Sequence, residues 1–228
     1  MKKSLLFLIF SFCLTCTFAQ KSKFEWGITS GFNFSKIQKY TWDVTDVTLQ
    51  DPSWRVGYQT SLAFRYRLSQ HWAVRSDLAF IQKGWKGQQG NRSGLCGVGA
   101  TDAILAAFQK AELERLTTIK GNRLDYVSIP LLAEYTFFGQ RLYTQIGGYW
   151  AYRTGPQLKS DWNYDDWGMR VGIGSHVQLF KHLKLNFETT YIHGLSDVFS
   201  VKDYYGYVYE SGKGNRTIAV NLGLIFTR

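Results

Sequence analysis

The sequence predicts an all-β fold: an eight-stranded antiparallel up-and-down transmembrane β-barrel with long extracellular loops, one of which carries a short helix. Eight segments alternate apolar and polar residues with the period of two that a β-strand gives. The connections between them are alternately long and short, as in barrels whose two rims face opposite sides of an outer membrane. The 228 residues include 16 Phe, 14 Tyr, 8 Trp and 22 Gly but only 3 Pro and 3 Cys. This composition excludes a disordered chain and a disulfide scaffold.

The N-terminus predicts export through a cleavable secretory signal peptide. A short basic start is followed by a mostly apolar run over 4–18, and the sequence turns polar after Ala19. A membrane anchor is disfavoured because the apolar run is too short and ends in a cleavage site. We expect cleavage between Ala19 and Gln20. The predicted domains are therefore a signal peptide over 1–19 and an outer-membrane β-barrel over 20–228.

Each of the first four predicted strands has one apolar face. In the first, Phe and Trp residues alternate with Gly and polar residues, and in the second the alternating partners are mainly Arg and Gly. The fourth contains Pro130, which removes a hydrogen-bond donor and predicts a bulge or a weak point in strand pairing. These segments are 24–35, 54–67, 72–83 and 124–137.

The last four predicted strands alternate in the same way. The clearest is the sixth, in which Trp167, Met169 and Val171 begin an apolar face opposite a face of Gly, Arg and His. The strands are long enough for a tilted span of the bilayer, for which about 9 to 11 residues suffice. These segments are 141–152, 167–180, 183–191 and 217–227.

The connections define the two rims of the predicted barrel. Short connections at 68–71, 138–140 and 181–182 are assigned to the periplasmic side. Long connections are assigned to the cell surface, and one of them has a helix pattern that begins near Thr101 and ends near Leu116. The long connections are 36–53, 84–123, 153–166 and 192–216.

The two faces of the strands distinguish a membrane barrel from a soluble lipocalin-like barrel. The polar face mixes Gly with opposite charges, which suits a narrow lumen filled by side chains. A charge shielded from water needs a partner, so these charges predict a network that plugs the lumen. The predicted lumen charge network is Glu25, Arg55, Arg65, Arg75, Asp77, Glu134, Arg170 and Glu188. The apolar face carries rings near strand ends, as at a membrane interface, and these interface aromatics are Trp26, Trp54, Trp72, Tyr135, Trp150, Trp167 and Tyr191.

Four short motifs resemble one family. Residues 124–132 resemble a Y-x-x-I-P-L-L strand, 147–149 a G-x-Y strand, 191–197 a Y-x-x-G-L-x-D/N motif, and 215–226 a closing N-R-x-I strand. Together with the start of the mature chain, they resemble the PorT-like outer-membrane β-barrel family typical of Bacteroidota. The resemblance implies an integral outer-membrane protein. The members that gave the family its name are linked to the type IX secretion and gliding apparatus.

The sequence predicts no catalytic, cofactor-binding or metal-binding residues. The mature chain retains only Cys96, and its four His residues form no cluster. We therefore expect a non-enzymatic membrane anchor or accessory component that interacts through its surface loops. Its expected partners are outer-membrane lipid and lipopolysaccharide. The connection 84–123 has two open interpretations, a lid packed over the barrel mouth or a surface element that binds a protein partner. We expect no nucleic-acid partner and a monomeric barrel.

Three alternatives remain open from the sequence. The first is a subunit of a type IX secretion or gliding apparatus. The second is an outer-membrane enzyme of the lipid-A acyltransferase or omptin-protease type, for which His193 and Asp197 on an outer connection are the only possible start. The third is a soluble periplasmic ligand-binding barrel.

Overall fold

The computed structural model describes residues 24–42, 53–86, 88–89, 118–119, 122–139, 141–154, 163–202 and 208–227. The predicted signal peptide, Cys96 and the predicted loop helix lie outside these residues. In the part of the chain that is described, no helix is long and apolar enough to cross a membrane.

The described residues form eleven β-strands, and eight of these strands are long. The bounds are β1 Phe24–Trp42, β2 Ser53–Arg67, β3 Trp72–Lys86, β4 Gln88–Gln89, β5 Thr118–Ile119, β6 Asn122–Phe137, β7 Leu142–Thr154, β8 Asp165–Phe180, β9 Leu183–Gly194, β10 Asp197–Lys202 and β11 Val208–Thr227.

The eight long strands close into a barrel. Each of β1, β2, β3, β6, β7, β8, β9 and β11 pairs antiparallel with the next, and β11 pairs with β1 to complete the circle. Closure leaves none of these eight strands with an unpaired edge, which is the condition for a sheet to cross a bilayer. The predicted eight-stranded antiparallel barrel is therefore confirmed. We call the rim with the tight connections at 68–71, 138–141 and 181–182 the turn end, and the opposite rim the loop end.

The outward face is apolar from one rim to the other. On β8, outward side chains from Trp167 to Leu179 alternate with inward Gly, Arg and His residues. A rise of about 3.3 Å per residue and a tilt of about 40° make this apolar band roughly 30 Å tall. That height matches the hydrocarbon core of a bilayer, about 30 Å. The height of the outward apolar band thus matches the thickness of a bilayer. A soluble barrel would need no apolar band on its outward face.

The irregularities in strand pairing near Pro130 and in β2 differ in kind. Near Pro130 the β3–β6 ladder is interrupted between the pairs Ser76↔Leu131 and Ala79↔Ser128, but the register is unchanged on either side. Pro130 thus gives a weak point in pairing and no bulge. Proline has no backbone N–H, so one ladder hydrogen bond to β3 is missing while the register is kept. A register shift occurs instead between Trp54 and Gln59 of β2.

The loop end contains more strand than the sequence predicts. β1 extends to Trp42 and pairs with the start of β11, so the expected loops at 36–53 and 192–216 are partly sheet. After a short break, β10 follows β9 and pairs with β11, with register shifts at both of its ends. The predicted connection 192–216 was wrong in this respect. The sequence of β10 has no regular alternation, which is why it escaped prediction.

Candidate functional site

The lumen is the candidate site, because the inward faces of the strands bring together almost all of the predicted charges. They stack in levels along the barrel axis. The turn-end level consists of Glu25, Arg65, Arg67, Glu134 and Lys184, with the His176 ring. The middle level consists of Arg75, Asp77, Arg170 and Glu188. The loop-end level consists of Lys83 and Asp166.

The middle level is a closed ring of two cations and two anions. Arg75 donates to Asp77 through Nε and Nη2, at 2.8 and 3.1 Å, and it also pairs with Glu188. Arg170 donates to the same two carboxylates, at 3.2 Å to Asp77 and 2.7 Å to Glu188. All four side chains are buried. A buried charge is tolerated when opposite charges surround it at hydrogen-bond distance, and here each charge contacts two of the opposite sign.

Tyr143 joins the middle level to the turn-end level. Its hydroxyl oxygen lies 2.8 Å from Glu188 Oε2, to which it donates its single proton, and 2.9 Å from Asn186 Oδ1, and its ring stacks on His176 with centroids 4.5 Å apart. The inward side of Gly174 lies against this ring. A glycine at that position gives the ring its space, as expected in a narrow barrel.

The turn-end level carries an excess of positive charge. Arg65 pairs with Glu25 at 2.9 Å and with Glu134, while Lys184 and Arg67 also pair with Glu25, at 2.9 and 3.0 Å. Below this level the lumen widens into a cavity of about 380 Å³ at the turn-end rim, lined by Gly139, Arg141, His176, Val177, Gln178 and Lys184. The lumen is therefore open to solvent at the turn-end rim and closed from the turn-end level onward.

The loop-end level is an ion pair that the sequence analysis did not include in the network. Lys83 Nζ lies 2.7 Å from Asp166 Oδ2 and 4.5 Å from the centroid of the Tyr149 ring. Asp166 also accepts from the Tyr149 hydroxyl at 3.1 Å, from Ser196 at 2.9 Å and from Asn215 at 3.2 Å. Asp166 was placed in a connection because the predicted strand began at 167. A strand begun two residues earlier would have placed Asp166 on the inward face.

An apolar cap closes the lumen beyond this ion pair. It consists of Ile37, Trp85, Leu124, Val198 and Phe199, all 3% exposed or less. The Phe199 ring, carried by β10, stacks on Trp85 with centroids 6.0 Å apart. Between the cap and the middle level there is a cavity of about 20 Å³, which has room for about one water.

The structure places the predicted network residues as follows. Glu25, Arg65, Arg75, Asp77, Glu134, Arg170 and Glu188 are buried in the turn-end and middle levels. Arg55 is half-buried at the opposite end of β2 from Arg65, and no ion pair joins it to the network residues that the structure describes. Strand parity fixes the face of a side chain but not its height in the barrel.

The predicted interface aromatics all point outward and form two girdles. Trp26, Trp72 and Tyr135 lie at the turn end, where the Trp72 and Tyr135 rings meet edge to face at 5.0 Å. Toward the loop end, Trp150 and Trp167 are register partners on neighbouring strands. The other two members of this girdle are Trp54 and Tyr191. Girdles at both interfaces are typical of membrane barrels.

The two residues considered for catalysis are not brought together in a site. His193, the residue before the end of β9, lies on the outward face, where its Nδ1 lies 3.3 Å from the Tyr191 hydroxyl oxygen, while Asp197 begins β10 and is exposed. Within the described ranges, no three His, Cys, Asp or Glu side chains are grouped to hold a metal ion.

The fold and the filled lumen define a class: a small transmembrane β-barrel whose interior is closed by paired side chains. Residues 18–200 match the sequence model of the family described as "Outer membrane protein beta-barrel domain". The chain belongs to this family and is an outer-membrane protein.

Solved barrels align with most of the chain. The outer membrane protein AlkL, determined in lipid bilayers, is 17% identical and covers 91% of this chain and 92% of its own, with a TM-score of 0.44. The E. coli outer membrane protein W is 14% identical over 90% and 98% of the two chains, also with a TM-score of 0.44. Neisserial surface protein A is 11% identical over 91% and 98%, with a TM-score of 0.43. No curated protein sequence matches the chain.

Proposed function

We propose that this protein is a non-enzymatic outer-membrane barrel of the PorT-like type that serves as a membrane anchor or accessory component, exported by its N-terminal signal peptide. Its interactions are made by the connections at the loop end, and the connection 84–123 is the proposed contact for a protein partner. The observation that carries the proposal is the closed lumen. Three levels of paired charges and an apolar cap occupy the space that a channel or a substrate pocket would need.

The charges support this reading because they satisfy one another. In the middle level each carboxylate receives two Arg residues and each Arg contacts two carboxylates. A general acid or base needs access to a substrate proton. These four groups are buried between the turn-end level and the apolar cap, so their arrangement favours a structural role.

The motifs around Pro130 and Gly194 support the finer assignment to the PorT-like type. Both motifs lie within the barrel wall, in β6 and at the end of β9. Membership of a type IX secretion or gliding apparatus is the alternative. Recovery of apparatus subunits with the detergent-solubilised protein after crosslinking in intact cells would favour that alternative.

Complementation of a deletion strain tests the proposed role. One variant replaces residues 90–117 with a short Gly-Ser linker, and a second carries Asp197→Asn, which removes the exposed carboxylate considered for catalysis. We expect the first to fold, with heat-modifiable gel mobility, and to fail in complementation. We expect the second to complement fully. Complementation by the loop-replaced chain, or failure of a folded Asp197→Asn protein, would contradict the proposal.

A further inference from the structure

Three basic side chains lie side by side on the outward face of the barrel at its loop end. Lys36 on β1 is the register partner of Arg216 on β11, which is in turn the partner of His193 on β9. The residues before and after each of the three are buried toward the lumen, so the three side chains point outward. We call Lys36, Arg216 and His193 the outer basic row.

The outer basic row stands directly above the apolar band. Two residues closer to the turn end on the same strands are Phe34, Ile218 and Tyr191, which are 44%, 40% and 36% exposed and are also in register. One step along a strand face is roughly 7 Å. The row therefore lies at the level of lipid headgroups, with a surface for acyl chains below it.

Aromatic and polar neighbours frame the row. Lys36 Nζ lies 5.5 Å from the centroid of the Trp54 ring, and His193 Nδ1 lies 3.3 Å from the Tyr191 hydroxyl oxygen. Trp and Tyr prefer the interfacial region of a membrane. Their presence on both sides places the row inside the loop-end girdle.

Arg216 differs from the other outward arginine at this rim. On β6, Arg123 pairs with Asp125 through two contacts of 2.9 Å. Arg216 is half-buried, and no acidic side chain of the described residues forms an ion pair with it. Its buried Nε has no hydrogen-bond partner among those residues. A guanidinium held in this way is suited to bind an anion from outside the chain, and phosphate fits its planar fork best.

We propose that the outer basic row binds a phosphate group of lipid A in the outer leaflet, with the lipid's acyl chains packed on the apolar row formed by Phe34, Ile218 and Tyr191. The inference rests on the proposed function only through the orientation of the barrel, whose long connections face the cell surface. The positive charge of the row favours an anionic phosphate headgroup. The apolar row below it favours a ligand with acyl chains over a free anion.

Binding of purified lipid A to the full-length mature chain in zwitterionic detergent, followed by native mass spectrometry, tests the site. Each basic residue near a membrane surface adds about 1 kcal/mol, which corresponds to about a fivefold change in affinity. We expect Arg216→Gln to weaken binding of diphosphoryl lipid A about fivefold, and Lys36→Gln with Arg216→Gln about 25-fold. The matched control, Arg123→Gln, should change it by less than about twofold. Heat-modifiable mobility establishes that each variant is folded.

Other ligands distinguish the sources of phosphate. The affinity of the wild type for dephosphorylated lipid A should be no higher than the affinity of the double variant for diphosphoryl lipid A. Inorganic phosphate should not compete with diphosphoryl lipid A for the wild type. Equal losses in Arg216→Gln and Arg123→Gln, or equal binding of phosphatidylglycerol, would overturn the proposal. A folded, non-conducting barrel without selective lipid A binding would refute this site alone. A conducting barrel that still binds lipid A selectively would refute the proposed function and leave the site standing.

Discussion

The middle level and the apolar cap close the same lumen by different physical means. The middle level joins β3, β8 and β9 through four buried charges, so its contacts cross the barrel. The cap depends on Val198 and Phe199 of β10, a short strand that pairs with β11 alone among the barrel strands. Closure at the middle level is therefore part of the global fold, whereas closure at the loop end is local.

Removing one charge from the middle level should have the largest effect. Glu188→Gln leaves Arg75 and Arg170 facing a single carboxylate, and loss of one partner from a buried charge network costs about 3 to 5 kcal/mol. We expect the free energy of unfolding in urea, followed by Trp fluorescence in detergent micelles, to fall by roughly that amount. Asp165→Asn, at an exposed carboxylate on the outward side of β8, is the matched control and should change it by less than about 0.5 kcal/mol.

A double variant determines whether the charges of the middle level act together. Arg75→Gln combined with Glu188→Gln leaves Arg170 and Asp77 as a balanced pair, 3.2 Å apart. We expect the loss of stability to be smaller than the sum of the two single losses by about 0.5 to 3 kcal/mol. Strict additivity would mean that the two groups contribute independently and that the ring described here is not a unit.

A small change of volume at the middle level should have an intermediate effect. A methyl group at Gly174 would clash with the Tyr143 ring and push its hydroxyl away from Glu188. We expect Gly174→Ala to lower the free energy of unfolding by about 1 to 3 kcal/mol. Gly148→Ala is the control, because the nearest atom to its added methyl group is 3.7 Å away. Equal stability of the two variants would show that the lumen has spare room.

Truncating the cap should have the smallest global effect. Phe199→Ala removes a ring that is 2% exposed, a change that costs about 3 to 5 kcal/mol in a continuous core. We expect β10 to open as a local unit because it pairs with β11 alone among the barrel strands, and the loss is then limited to the opening free energy of β10. We expect faster hydrogen exchange at 197–199 and a change of less than about 1 kcal/mol in global unfolding. A global loss as large as that of Glu188→Gln would contradict the division into two regions.

The strands of the wall could be predicted from sequence because alternation is a local signal. The alternation of apolar and polar residues along β9 indicates that the side chain of Glu188 lies on the polar face of this strand. In a closed barrel all the polar faces point into the same lumen. Height along the axis is not local: it depends on which residues are register partners across strands. For this reason the network predicted from sequence includes Arg55, which lies at the far end of β2 from Arg65, and does not include the pairing of Lys83 with Asp166, which are far apart in sequence.

The cap could not be predicted for a related reason. Val198 and Phe199 are consecutive and both buried, which breaks the period of two on which strand prediction depends. A register shift in the pairing of β10 with β11 lies between Asp197 and Phe199, where this period is interrupted. The outer basic row was likewise hidden, because Lys36 and Arg216 lie in segments that the sequence assigns to loops. Only the extended pairing of β1 with β11 brings them together.

Ion conductance in a planar lipid bilayer tests the central claim most directly. The wild-type chain, reconstituted at neutral pH and physiological salt, should show no steady single-channel current, because the middle level fills the lumen. Phe199→Ala should also stay closed, since the cap is not the only barrier. A stable open conductance of the wild-type protein would contradict the account.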